Sequence, residues 1–213
     1  MKTCHFSTAI AGVMMFIAAT GVARAQDEGV KQIEQLIKTA KSQVEAIGDA
    51  KTQLQKTMTA YNTVLAPDVK DRRDAYKSLQ KEIANSEKKR ADVATRSKEM
   101  NAEADRLFKS WDATAAAIQS PELRGRSQER LKRTQNRFAE LRQTGQKAAD
   151  MYAPIMKTLQ DQVTYLGHDL NAGAANSLKA DADKLNGQAK DLFTAIDKVT
   201  ETASANIAKL SAE

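Results

Sequence analysis

The chain has 213 residues, with 33 Lys and Arg against 27 Asp and Glu, 5% aromatic residues and a single cysteine. That composition excludes a disulfide scaffold and a thiolate metal centre, and it suits long helices better than an aromatic-rich globule. The basic excess admits an anionic partner without naming one.

Residues 1–25 read as a secretory leader. Lys2 gives a positive start, and Ala9 to Ala19 is an apolar run too short to span a bilayer comfortably. Ala23-Arg24-Ala25 then places small residues where a signal peptidase reads. Cleavage after Ala25 is expected, with an uncleaved anchor as the lesser alternative. Cys4 precedes the apolar run, so it is badly placed to become a lipidated first residue. The remainder, 26–213, stays net basic and has no cysteine and no second long apolar run. It suits a single helical coiled-coil domain, exported and expected in the periplasm.

Four ladders of apolar or small residues come next, stepping by three and four. The first runs Val30, Ile33, Ile37, Ala40, Val44, Ile47, Lys51, Leu54, Met58, Tyr61, Leu65, broken only by the charge of Lys51. Ala66-Pro67-Asp68 stops it, because a residue before proline is pushed out of the helical region and Asp68 can cap the second helix. That second helix is expected from about Val69 to about Ile118, with a seam through Tyr76, Leu79, Ile83, Met100, Leu107 and Trp111. Ser120-Pro121-Glu122 is a start signal: an N-cap, a proline at the first helical position and an acid in the first turn. The third helix then runs to about Leu170. Pro154 inside it predicts a bend near Asp150, with a hinge as the alternative. Asn171 or Gly173 marks the next break, and a fourth ladder runs from Leu178 to Leu210.

A mean step of 3.5 keeps one seam of each helix toward a partner, as in coiled coils. Short connections make neighbours antiparallel. The expected fold is therefore all-α, an elongated antiparallel bundle of four long helices with coiled-coil packing. The second and third helices form its central hairpin, and the first and fourth lie along it. Folding that hairpin near Gln119 brings Trp111 level with Ser127, Val93 with Gly145, Arg90 with Ala148 and Ser86 with Tyr152. Large faces small repeatedly, which predicts interdigitation.

Little chemistry is written along these helices. After the leader one histidine remains, His168, and no cysteine, so neither a zinc site nor a Ser-His-Asp triad can be assembled from recognisable parts. His168 falls where a side chain can serve the free carbonyls of a helix end. Asp181, Asp183 and Asp191 lie among lysines and read as a solvated face. The glycines are scattered, with no phosphate loop. No catalytic, metal or cofactor-binding residue is expected, and the chain reads as non-enzymatic.

The strongest signal outside the core is basic. From Arg124 to Lys147, Arg124, Arg126, Arg130, Lys132, Arg133, Arg137, Arg142 and Lys147 stand against Glu129 and Glu140 alone. Arg126, Arg130, Arg133 and Arg137 recur one position off the seam, as a stripe beside it. One reading pairs them with Glu99, Glu103, Asp105 and Asp112 on the second helix. The other makes them an anion or partner site, for an envelope protein or for an anionic lipid or lipopolysaccharide surface. Nucleic acid ranks last, because an exported protein rarely meets it and no groove-reading motif is present.

From Trp111 to about Leu178 the chain resembles a family of bacterial exported proteins, the domain of unknown function twenty-nine fifty-nine. Trp111, Arg126, Ser127, Leu131, Thr134, Arg137, Leu141 and Pro154 carry the resemblance. Its densest part is Asp161-Gln162-Val163-Thr164-Tyr165-Leu166-Gly167-His168-Asp169-Leu170-Asn171-Ala172, where Thr164, Gly167 and Asp169 depart from the usual pattern and Gly167 stands in place of a lysine. The resemblance implies a leader-bearing helical protein and brings no activity with it. It directs attention to Gln162, Tyr165, His168 and Asn171, polar residues beside an apolar face that form either a structural corner into the fourth helix or a partner-binding tip.

The expected role is an envelope spacer, scaffold or holdase-like binding protein without a cofactor. A nucleic-acid-associated coiled coil is the alternative if residues 1–25 are retained. The seam could equally join two copies of the chain, because periodicity does not distinguish burial within one chain from burial between two.

Overall fold

The structure is a computed structural model that describes the backbone of residues 19–211 and the side chains of residues 29–211. Most of the expected leader therefore lies outside the described residues. The elements are α1 (Ala19–Leu65), α2 (Arg72–Ala117), α3 (Pro121–His168), the short α4 (Ala172–Ser177) and α5 (Lys179–Ser211). No strand occurs among the described residues. At 1.5 Å per residue the first three helices are each about 70 Å long, and the product is an elongated all-α bundle.

The helix ends are set by specific side chains. α2 starts at Arg72 and not near Val69, and its cap is Asp71 rather than Asp68. The Asp71 carboxylate accepts from the Asp74 backbone N–H at 3.0 Å. The later start has a cause in Arg72. Its guanidinium reaches back to donate to the carbonyls of Val64 and Ala66, the latter at 3.1 Å, and so satisfies acceptors that α1 leaves open at its end. Ser120 caps α3 as expected, accepting from the Leu123 N–H at 3.4 Å with Pro121 in the first turn.

α3 continues unbroken through Pro154 and stops at His168, two residues before the expected Leu170. Asn171 caps α4, accepting from the Ala174 N–H at 2.9 Å. The expected fourth helix is therefore two pieces separated at Leu178. The Leu178 N–H bonds the Ala175 carbonyl at 3.3 Å, the tighter i to i+3 spacing that closes a helix turn.

Packing departs from the expected central hairpin. α1 packs along α2 more extensively than any other pair, α5 covers α1 and α3, and α2 touches α3 far less. The α1–α2 seam is closed by small hydroxyl side chains. Thr57 and Ser86 are both buried, with their oxygens 2.8 Å apart, and Thr57 also donates toward the Glu82 carbonyl at 3.0 Å. Beside them Gln53 donates to the Glu82 carboxylate at 2.6 Å. The core that α5 completes includes Leu54, Tyr61, Leu79, Leu159, Leu166, Leu185 and Leu192, all essentially inaccessible. Lys51, the charged rung of the first ladder, reaches Asp197 on α5 at 2.5 Å and thereby keeps its ammonium at the surface.

A candidate binding groove between α2 and α3

α2 and α3 are joined toward both ends. Near their connecting turn, the Trp111 indole N–H donates to Ser127 Oγ at 3.1 Å, and Phe108 meets Phe138 edge to face with ring centres 5.8 Å apart. The Trp111–Ser127 contact bears out the expected alignment of the hairpin. At the other end Tyr76 crosses from α2 to donate to the Val163 carbonyl at 3.1 Å. Its hydroxyl stands 2.6 Å from where a Cβ on Gly167 would sit. That contact gives a physical reason for glycine here: any side chain would displace the phenol.

Between these ends the helices part. The residues expected to interdigitate, Val93 with Gly145 and Arg90 with Ala148, instead line a groove of about 890 Å³ that all four long helices share. A Cβ on Gly145 would meet nothing within 4 Å. The mouth is flanked by Ala94 and Ser97 on α2 and by Gly145, Ala149 and Ala153 on α3, while Ile47, Met100, Met156, Leu192 and Val199 lie deeper. Small residues that predict close approach therefore leave room here, because no neighbouring helix fills the space they vacate. The sequence signal for the groove is the run of small residues at 145, 149 and 153, one helical turn apart on one face. Periodicity alone cannot say whether such a face is filled.

Polar groups of this region are unevenly satisfied. Arg90 is held by Glu87 at 2.9 Å. Arg142 donates to Asn101 at 2.8 Å and to Asp105 at 3.0 Å, and lies over the Phe138 ring at 4.8 Å. By contrast, Gln43, which lines the groove, carries a buried polar atom, Oε1, without a hydrogen-bond partner among the described residues. Buried orphans of this kind are uncommon in folded proteins and require a cause. Ser86 faces the Tyr152 hydroxyl, as the alignment expected, and its own hydroxyl also meets Thr57. Burial, with the nearby Glu87 carboxylate adding to it, pushes the Tyr152 phenol above its usual range, so it is a neutral donor.

The residues singled out from the sequence are dispersed. The arginine stripe lies on α3 toward the turn, outside the groove, and mostly pairs along its own helix. Arg126 bonds Glu122 and Arg133 bonds Glu129, both at 2.6 Å. Arg137 donates to Thr134 at 2.9 Å, and Arg130 lies 5.7 Å from the centre of the Trp111 ring. For Arg126 and Arg133, the expected pairing with α2 acids is thus replaced by i, i+4 pairs within α3, where a fixed helical spacing holds the partners without bridging two helices. Arg142, beyond the stripe, makes the cross-helix pair.

The segment from Gln162 to Asn171 ends α3 and leads into α4. Gln162 points inward and accepts from the buried Tyr61 hydroxyl, whose pKa is pushed up to about 12 by burial and by Asp181. Asn171 caps α4 and donates to Asp169. Tyr165 is exposed, with its hydroxyl 3.3 Å from Ser177 Oγ, and His168 is the exposed last residue of α3. Among the described residues no three His, Cys, Asp or Glu side chains gather as metal ligands. None of the described helices is long and apolar enough to cross a membrane.

Neither the curated proteins nor the solved structures contain a match to this chain. A family model does match, over residues 23–210, which is nearly the whole helical body described above. The chain therefore belongs to the family described as Protein of unknown function (DUF2959).

Proposed function

We propose that this protein is an exported, non-enzymatic binding protein of the cell envelope, one that works as a long helical scaffold and retains a client in its open face. The groove carries the reading: α2 and α3 are pinned toward both ends and held apart between, exposing an apolar interior about 890 Å³ in volume. That size falls in the range of pockets that enclose small ligands. Its polar lining is made of lysines, arginines, amides, one serine, one phenol and the single carboxylate Glu87, which Arg90 engages. Such a set suits retention better than proton transfer, for which paired groups of separated pKa are needed. Export is supported by the apolar run and small-residue site of residues 1–25, and the family match begins close by, at residue 23.

Fractionation with intact-mass measurement tests the location. A periplasmic chain lacking residues 1–25 is expected, and a full-length chain in the cytoplasm overturns export. Crosslinking in intact cells from position 130 or 133, beside the turn, tests the scaffold role. Recovery of an envelope component is expected, and a chain that crosslinks to nothing overturns it.

A further inference from the structure

We propose that Asn186-Gly187 on α5 is a site of spontaneous deamidation that the α1–α5 contact holds in check, so that modification there reports opening of α5. The inference does not depend on what the chain binds. Three observations lead to it.

The first is sequence chemistry. Asn186 is the one asparagine of the chain that a glycine follows. Without a side chain, glycine leaves its backbone nitrogen free to attack the neighbouring amide carbon. The Gly187 nitrogen bonds to Cγ of Asn186, and the side-chain nitrogen departs as ammonia, taking the Gly187 amide proton with it. The product is a five-membered succinimide. Water then adds to one of the two ring carbonyls and opens the ring, leaving aspartate or isoaspartate at 186. One water is consumed and one ammonia released, and no oxidant or catalyst is required. Packing does not call for the glycine, because a Cβ on Gly187 would meet nothing within 4 Å.

The second is the backbone. Asn186 and Gly187 lie inside α5, where the Gly187 N–H belongs to the helix's own hydrogen-bond ladder. Helical side chains also point back toward the N-terminus, away from the nitrogen that follows them. Ring closure therefore requires α5 to open locally. The flanking Leu185 and Ala189 are only 1% and 2% exposed, so that opening would uncover core. The third is a clasp. Asn186 and Asn62 on α1 exchange two hydrogen bonds, at 3.1 and 3.0 Å, which hold the reactive amide against α1. Eleven residues away on both helices Lys51 reaches Asp197, so the two clasps share one antiparallel register. Deamidation undoes the first clasp. A carboxylate has no N–H to return to Asn62, and isoaspartate also lengthens the α5 backbone by a methylene.

The test is peptide mapping by mass spectrometry after the purified chain has stood in mildly alkaline buffer, with and without urea, using fragmentation that separates isoaspartate from aspartate. In urea Asn186 should react faster than every other asparagine. In the folded chain it should react at least about tenfold more slowly, because packed helices open rarely. Gly187→Ala should slow the reaction in urea at least about tenfold, since a Cβ crowds the attacking nitrogen. Asn62→Ala should speed the reaction in the folded chain about threefold, because two surface hydrogen bonds no longer oppose opening. A different asparagine reacting first in urea, or Gly187→Ala reacting as wild type, overturns the site. Equal rates with and without urea overturn its protection by the fold. A folded-state rate unchanged in Asn62→Ala overturns the role of the clasp. Once urea is removed, chains carrying isoaspartate at 186 should be the first lost to limited proteolysis, and loss no faster than that of unmodified chains overturns the loosening of α5.

Discussion

α2 takes part in two antiparallel hairpins, and they behave oppositely. Against α1 its seam is shut: Thr57 and Ser86 touch through their hydroxyls, and Leu54 and Leu79 are fully buried nearby. Against α3 its seam is open: Ala94, Ser97, Gly145, Ala149 and Ala153 border a groove. Both seams keep the same step of three and four, and both place small residues on facing helices. The difference lies in what surrounds them. Along the first seam small side chains let the backbones approach and hydroxyls bond across. Along the second the helices are pinned by Trp111, Phe108 and Phe138 toward one end and by Tyr76 at the other, so small residues between the pins leave volume instead of closing it. Small residues permit close approach but do not compel it.

If that contrast is right, truncations should separate the two seams most of all. Leu79→Ala in the shut seam removes a fully buried side chain and should cost about 2–5 kcal/mol in urea unfolding. Val93→Ala, at the groove, should cost less than about 1 kcal/mol, because its side chain is already only partly covered. Equal costs would mean that the groove is packed in solution.

Next in size is Tyr61→Phe, which strips the donor from buried Gln162 at the shut end and should cost about 1–3 kcal/mol. It also has a pH signature. The folded chain holds the Tyr61 proton more tightly than the unfolded one, so this stabilisation is full below pH 10 and is lost as pH rises from 10 through about 12. The variant should show a shallower alkaline decline over that window, and an unchanged decline would remove Tyr61 as its source.

Thr57→Val should then cost about 1 kcal/mol by thermal unfolding, since Ser86 loses the Thr57 hydroxyl inside a buried seam. A variant as stable as wild type would show that the seam is held by shape alone.

Smallest is a pair of glycine replacements. Gly145→Ala faces open space and should stabilise by up to about 1 kcal/mol. Gly167→Ala should gain less or lose, because its Cβ would lie 2.6 Å from the Tyr76 hydroxyl and displace it from Val163. Combining Gly167→Ala with Tyr76→Phe in a double-mutant cycle measures that clash directly. Additive effects would mean that the phenol does not bear on Gly167.

Much of this architecture is legible in the chain. Ladder periodicity and punctuation at Pro67 and Ser120-Pro121 place three long helices, and Asn171 marks the start of α4. The cap of α2 lies three residues beyond the expected Asp68, because Asp68 and Asp71 are equally good caps locally. The choice falls to Arg72, whose guanidinium must reach α1 across the turn. The break at Leu178 is invisible in sequence because the ladder continues through it. Of the four polar residues near the end of α3, Gln162 turns inward to Tyr61 and Asn171 caps α4, while Tyr165 and His168 are exposed. In the arginine stripe, by contrast, Arg126 and Arg133 have their partners inside α3, which a cross-helix pairing rule does not find.

Helix content, helix order and the antiparallel arrangement come from local terms: propensity, a period of 3.5, caps and short turns. These act within a few residues and need no knowledge of the rest of the chain. Which seam closes and which gapes depends on the balance of contacts over four helices at once, including how Tyr76 and Trp111 pin the ends of the α2–α3 pair. Volume is a property of the space between elements. It is set where side chains from all four helices meet, and Ala149 reads the same in sequence whether it abuts a neighbour or borders a groove.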